Sequence, residues 1–484
     1  MSRTEPNLSR NRRRHVWRLG IALALLASTG VASAPVFATE GDDVEGAATR
    51  RGVAAELTYD SIAGDGFLGL RLKLDYAFDV AQIFCDEAGE GACRTDLRVG
   101  LQAPLRLRVY EAESSESGIV RSEDWDEIGD YLRVLKTLEY GQKGEALHVH
   151  AGELGPISLG HGTLVSDYYN VITTDHYQMG VAGEFNSIFG GAEFLLDNLM
   201  DPDVMGARAY IYPWAFVDAE SFLSRIALGF SVAADIQAPA ELASETDAGV
   251  VVDDALNPVI LRDQSTALIG VDLEVALVDE EAFSLVPYAD FITHTSLGTG
   301  FHAGAFLRGK ALDSLEVFSK LEYRRVGSRF LPNYIGPVYE IERLQFMGWG
   351  QAFPAPKVRV AASLTGAAAH GFYGSLGVRL HDAWMLSAAW ADHEGPMNQV
   401  FHAKASAKPT EALQLGVFYH KQYFDQFSDA FDLDGALVAA ESRVSIWGPF
   451  YAIGRYGRMW KIAPNGSYQS VNDWSLGAGA SMGF

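Results

Sequence analysis

His161, Ser166 and Asp167 lie within one short stretch and are the residue types that hydrolases assemble into base, nucleophile and orienting acid. That chemistry needs the base within hydrogen-bond reach of the hydroxyl, which closeness in sequence does not supply, and no G-x-S-x-G frames Ser166. His148 and His150 would share one face of a strand, but two imidazoles fall short of a zinc ligand set. Asp429, Asp432 and Asp434 in "DAFDLDG" lack the spacing and closing Glu of a calcium loop. The motifs therefore predict no enzyme, no metal and no cofactor.

A second chemistry is the lining of a pore. Arg71, Lys73, Arg98, Arg106, Arg108 and Arg133 fall on the polar side of segments whose other side is apolar, predicting a basic inner wall that contacts solute or pairs with carboxylates such as Asp75, Asp79 and Glu139. The stretch 153–176 carries His161, Asp167, Tyr168, Tyr169, Asn170, Asp175 and His176 among turn-forming Gly152, Gly155, Pro156, Gly160 and Gly162. It is the candidate constriction, with a loop lying over the rim as the alternative.

The elements that must position these groups are strands. In "FLGLRLKLDYAF", Leu68, Leu70, Leu72, Leu74, Tyr76 and Phe78 alternate with Gly69, Arg71, Lys73 and Asp75. The alternation returns along the whole chain in runs close to the 9–11 residues a tilted strand needs to cross a bilayer. About 22 such strands fit between residues 53 and 484, with 338–348 and 357–367 among them and a range of roughly 18 to 22. The connections alternate between short turns and long polar loops. This predicts an all-β fold: an up-and-down antiparallel transmembrane β-barrel occupying 53–484, without a plug domain. Aromatics near strand ends, including Tyr59, Phe78, Trp384, Trp447, Trp460 and Trp474, would form interfacial girdles.

Upstream, arginines at 10, 12, 13, 14 and 18 precede an apolar run and then small residues up to Ala38, the layout of a cleaved export signal over 1–38. Residues 39–52 would follow as a short periplasmic segment. With the signal go six arginines and one glutamate, taking the formal charge from −24 to −29. A chain this acidic has no basic surface to offer nucleic acid. In an exported protein the spacing of Cys85 and Cys93 suits a local disulfide, with two free thiols as the alternative.

The chain ends "DWSLGAGASMGF", with Trp474, Leu476, Met482 and Phe484 on one side of the alternation. This stretch resembles the C-terminal signature of Gram-negative outer-membrane β-barrels. The resemblance implies export to the outer membrane, recognition of the last strand by the barrel-assembly machinery, and lipid and lipopolysaccharide as surroundings. The expectation is a porin-like channel for small polar or anionic solutes, its lumen narrowed by inward-folded loops. A non-transporting surface protein is the competing class, and a hydrolase the third.

Overall fold

The computed structural model describes residues 51–62, 64–83, 94–111, 118–121, 124–125, 128–172, 177–243, 250–252, 258–312, 314–346, 355–365, 367–462 and 468–483. The export segment, Cys85, Cys93, Asp175, His176 and the terminal Phe484 lie outside the described residues.

Alternating runs become strands: β1 (Arg51–Ile62), β2 (Asp65–Ala81), β3 (Arg94–Tyr110), β4 (Leu135–Tyr140), β5 (Leu147–Gly152), β6 (Gly180–Ser187) and β7 (Gly190–Leu196). Next come β8 (Val204–Ile211), β9 (Ile226–Leu242), β10 (Ile260–Val275), β11 (Val278–Asp279), β12 (Phe283–His294), β13 (Thr299–Leu312) and β14 (Leu315–Val326). The wall finishes with β15 (Ala369–Leu380), β16 (Trp384–His393), β17 (Gln399–Thr410), β18 (Leu413–Phe424), β19 (Ala436–Trp447), β20 (Phe450–Ile462) and β21 (Tyr468–Gly483). Successive strands pair antiparallel, and β11 is a two-residue stub that, like β10, pairs with β12. The wall therefore has 20 strands. It closes because β1 pairs with β21, from Gly52 opposite Gly483 to Ser61 opposite Trp474. Closure gives the first and last strands a partner on both sides, the condition for a sheet to survive in hydrocarbon.

Side-chain parity sorts the two faces. On β2, Leu68, Leu70, Leu72 and Leu74 are exposed on the outer surface, whereas Arg71 and Lys73 turn inward. Leu57, Val271, Phe291, Leu321, Leu386 and Leu476 continue an apolar outer surface around the barrel. A soluble protein does not expose so much contiguous hydrocarbon; a bilayer covers it. Among the described residues no helix is long and apolar enough to cross a membrane. Trp384 and Trp447 lie exposed at strand ends and Trp474 is exposed within β21, but Trp460 is buried in a cluster with Ile341 and Leu437 and is not part of a girdle.

Two expected strands are not strands. Residues 338–348 and 357–367 instead contain helices α1 (Tyr339–Gln345) and α2 (Lys357–Ser363), inside the long connection from β14 to β15. Seven residues with apolar side chains at Tyr339 and Ile341, or Val358 and Val360, look alternating over so short a window. Inside the barrel these apolar groups bury against protein instead of lipid, and a segment with no sheet edge beside it satisfies its amides most locally as a helix. Removing the two brings the count of about 22 to the 20 observed.

The interior is not uniformly polar. Ala182, Leu195, Val204, Ala233, Leu268, Ile292 and Val326, on strands from β6 to β14, form one core with Leu159, Leu164, Val165, Phe330, Tyr334, Ile335 and Val360. Wall residues supply about a third of that core and two inward segments, around 153–172 and 328–365, supply the rest. A rule assigning every apolar residue to lipid fails on this arc.

Candidate functional site

The six basic residues singled out from sequence are each paired. Glu56 on β1 receives Lys73 at 2.8 Å and Arg71 at 3.8 Å. Arg106 reaches Asp60 at 3.2 Å and Asp124 at 2.8 Å, Arg108 lies 3.6 Å from Asp65, and Arg98 lies 3.3 Å from Glu139. Arg133 is not on a strand; it sits in the 3-10 turn Ile128–Val134 and contacts Asp124 at 3.2 Å and Asp130 at 3.1 Å. Burial would push the Asp124 carboxyl up, but Arg106, Arg121 and Arg133 together hold it below its usual range. These groups form a compensated electrostatic framework on the β1–β3 side.

The first inward segment is an excursion whose arms pair at Ile157 and Tyr168. Its tip turns at Gly160 and Gly162, both with positive φ, and a Cβ on Gly160 would lie 2.7 Å from the Arg208 side chain. Asn170 staples its base: the side-chain oxygen accepts from the Leu154 amide at 2.7 Å, and the side-chain nitrogen donates to the carbonyls of Asp197 at 2.8 Å and Gln178 at 3.0 Å. Val165 bridges to Ile335 of the second segment, whose α1 is tied to β9 by Arg343 to Asp235 at 3.1 Å. The Tyr168 hydroxyl donates to Glu340 at 2.6 Å, and the Tyr169 hydroxyl accepts from Lys404 at 3.0 Å.

His161 stands at the tip with both ring nitrogens engaged, Nδ1 at 2.9 Å from Asp290 and Nε2 at 2.8 Å from Glu274, its ring stacked on Tyr288. Burial alone would lower its pKa, but the two carboxylates outweigh it and raise it to about 10. Neither nitrogen serves Ser166, so the three residues do not form a triad. Residues 479–483 do spell G-x-S-x-G, but they lie within β21 and pair with β1, not on the strand-to-helix elbow that presents a nucleophile. His148 and His150 also take separate partners, Glu139 at 3.1 Å and the Glu153 carbonyl at 3.0 Å.

On the opposite side of the inward segments the wall recedes. The inward positions of β15 and β16 are largely small, with Gly371, Ser375 and Gly377 on one strand and Ser387, Ala389 and Ala391 on the other. Two cavities occupy the space. The one nearer the short-turn rim, about 110 Å³, is lined by Ser158, Asp167, Arg308, Lys320 and Lys404 among others. The one nearer the long-loop rim, about 90 Å³, is lined by Arg324, Glu342, Lys357, His393, His420 and Gln422 among others. Ser166, Tyr373, Ala389 and His402 line both, so the cavities adjoin at these residues.

Electrostatically this path is basic. Asp167 is its carboxylate at the junction, with a backbone φ of 49° and its amide donating to Ser158 Oγ at 2.8 Å. Burial would raise its pKa, but Lys404, His402 and Lys320 hold it low, so it stays ionised. Burial pulls the Lys357 pKa down and Glu342 only partly restores it. Of the residues on this path, the sequence alone singles out His161, Ser166 and Asp167 but not Lys320, Arg324, Lys404 or His402. The signal was available: in "SLEVFSKLEYRR", Lys320, Glu322 and Arg324 share one parity and must face the lumen together.

The fold and its two faces define a transmembrane β-barrel of the bacterial outer-membrane type, with an internally packed lumen and a basic path along one side. No family model matches the sequence, and no curated protein does. Solved structures that align over 90% of the chain include OccK11 (OpdR) of Pseudomonas aeruginosa, 11% identical over 96% of that chain with a TM-score of 0.34. OccAB4 of Acinetobacter baumannii is 9% identical over 97% of its chain, TM-score 0.33. The ferric enterobactin receptor PfeA of Pseudomonas aeruginosa is 9% identical over 82% of its chain, TM-score 0.36. At these scores the likeness carries no argument, and the fold rests on the strand pairing described above.

Proposed function

We propose that the chain is an outer-membrane channel that passes small anionic solutes between the inward segments and the β13–β18 wall. The observation that carries the reading is the pair of cavities adjoining at Ser166, Tyr373, Ala389 and His402, with Arg308, Lys320, Lys404 and Arg324 along the way. In a chain with a formal charge of −24, cations concentrated there give anions a locally favourable field. Small side chains on β15 and β16 provide width, and the bulk of the inward segments provides the narrowing. Passage is passive, since nothing in this reading calls for an energy-coupling step.

A second reading draws on the extensive apolar core that fixes the inward segments to β6–β14: a sealed barrel whose outer loops serve attachment to surfaces or envelope integrity. Conductance of the purified protein in a planar bilayer separates the two. Discrete current steps support the channel; a protein that inserts and carries no current sinks it.

A further inference from the structure

The carboxylates around the tip of the first inward segment outnumber the cations that serve them. Glu274 and Asp290 flank His161, Asp272 meets Arg208 at 2.7 Å, and Glu193 accepts from Arg208 at 3.1 Å and from the Gly160 amide at 2.8 Å. Four acids thus face one arginine and one histidine. Lys320 donates to the His161 carbonyl at 2.6 Å and shares Glu322, at 3.1 Å, with Arg324. Uncompensated negative charge away from bulk water is costly, and a cation is the direct remedy.

Within this group His161, Asp272 and Asp290 each bring one ligand atom to within 4.8 Å of the others. Independently, Asp290 is 98% buried, at 2% exposure, and its Oδ2 has no hydrogen-bond partner. A buried carboxylate oxygen with nothing to accept is rare in a native interior. We propose that His161, Asp272 and Asp290 bind a divalent transition-metal cation that pins the inward segment to β10 and β12. One imidazole with two carboxylates suits the zinc class, in which nitrogen and oxygen ligands sit near 2.0–2.2 Å from the ion. No sequence motif announces the site, because its ligands come from positions 161, 272 and 290 on three separate elements. The proposal holds whether or not the barrel conducts.

The test uses tag-free, full-length barrel, folded in detergent and stripped with EDTA, titrated with Zn²⁺ against a colorimetric chelator. The expected result is one Zn²⁺ per chain, weakened by about 10- to 100-fold or more in Asp290→Asn and in His161→Gln, since even outer partners of a metal site cost that much when removed. Heat-modifiable migration on a gel verifies that each variant is folded. Failure of the wild-type barrel to compete for Zn²⁺, or competition by both folded variants as strong as wild type, overturns the proposal. If a variant does not fold, the visible spectrum of wild-type barrel with Co²⁺ decides. An intensified ligand-field band supports the site, and the spectrum of free aqueous Co²⁺ refutes it.

Discussion

His161 Nδ1 lies 2.9 Å from Asp290, an ion pair that joins the tip of an inward loop to a strand 129 residues further along the chain. Both side chains are buried. Truncation to His161→Ala strips Asp290 and Glu274 of their shared partner, and breaking a buried pair from one side costs about 3–5 kcal/mol. The expected outcome is faster hydrogen exchange over 154–168 with the barrel strands still protected. Unchanged exchange in that segment would show that the ion pair does not anchor it.

Asp197 gives the clearest pH dependence. It is fully buried at the β7 end, and burial, reinforced by Glu340, pushes its pKa up to about 8. In the unfolded chain the carboxyl loses its proton near pH 4, so between about pH 4 and 8 the folded protein holds the extra proton and stability falls as pH rises. Asp197→Asn keeps an oxygen for the Asn198 and Asp203 amides and removes the titration. Its advantage should grow across that window to the order of 5 kcal/mol above pH 8. The measurement is the midpoint of heat- or urea-induced gel shift at pH 5, 7 and 9; parallel curves for the two proteins would refute it.

At Ala389 the two cavities adjoin, and the residue is itself buried against the lumen. Ala389→Phe fills the junction without touching the outer face. Unitary conductance should drop several-fold while heat-modifiable migration is retained. Equal conductance would place the conducting route elsewhere.

Lys404 sits beside Asp167 and donates to the Tyr169 hydroxyl. Reversing its sign in Lys404→Glu removes the field that favours anions at the junction. Reversal potentials in asymmetric KCl should move from anion preference toward cation preference. A variant that keeps the wild-type reversal potential would exclude Lys404 from selectivity.

The wall was legible in the sequence because lipid enforces parity: Leu70 and Leu72 must face out, so Arg71 and Lys73 must face in. Parity fails where protein replaces lipid as the apolar partner. Leu195, Leu268 and Ile292 face inward against loops, and nothing in a two-residue period distinguishes that environment from hydrocarbon. The same ambiguity made strands of α1 and α2. The basic side chains near the β1–β3 end were recognisable as inward-facing, but their carboxylate partners include Asp60 and Glu56, placed by strand register, and Asp124, placed by the β3–β4 connection. The junction at Ser166, Tyr373 and His402 was invisible for a further reason: it is defined by small side chains on β15 and β16, and space leaves no residue of its own in a sequence.

The seam of the barrel carries a consequence for biogenesis. Glu56 contacts Lys73, 17 positions away, and also Arg455, 399 positions away at 3.1 Å across the intervening β21. Gly479 permits this meeting, since a Cβ there would fall 2.5 Å from the ring of Tyr451, whose hydroxyl donates to the same glutamate. A nascent chain therefore neutralises this carboxylate early, within one hairpin, and can wait in that condition while the rest is threaded. Arrival of the last hairpin adds a further cation that only a correctly aligned end can deliver, which lets the finished ring discriminate against a mis-stitched one.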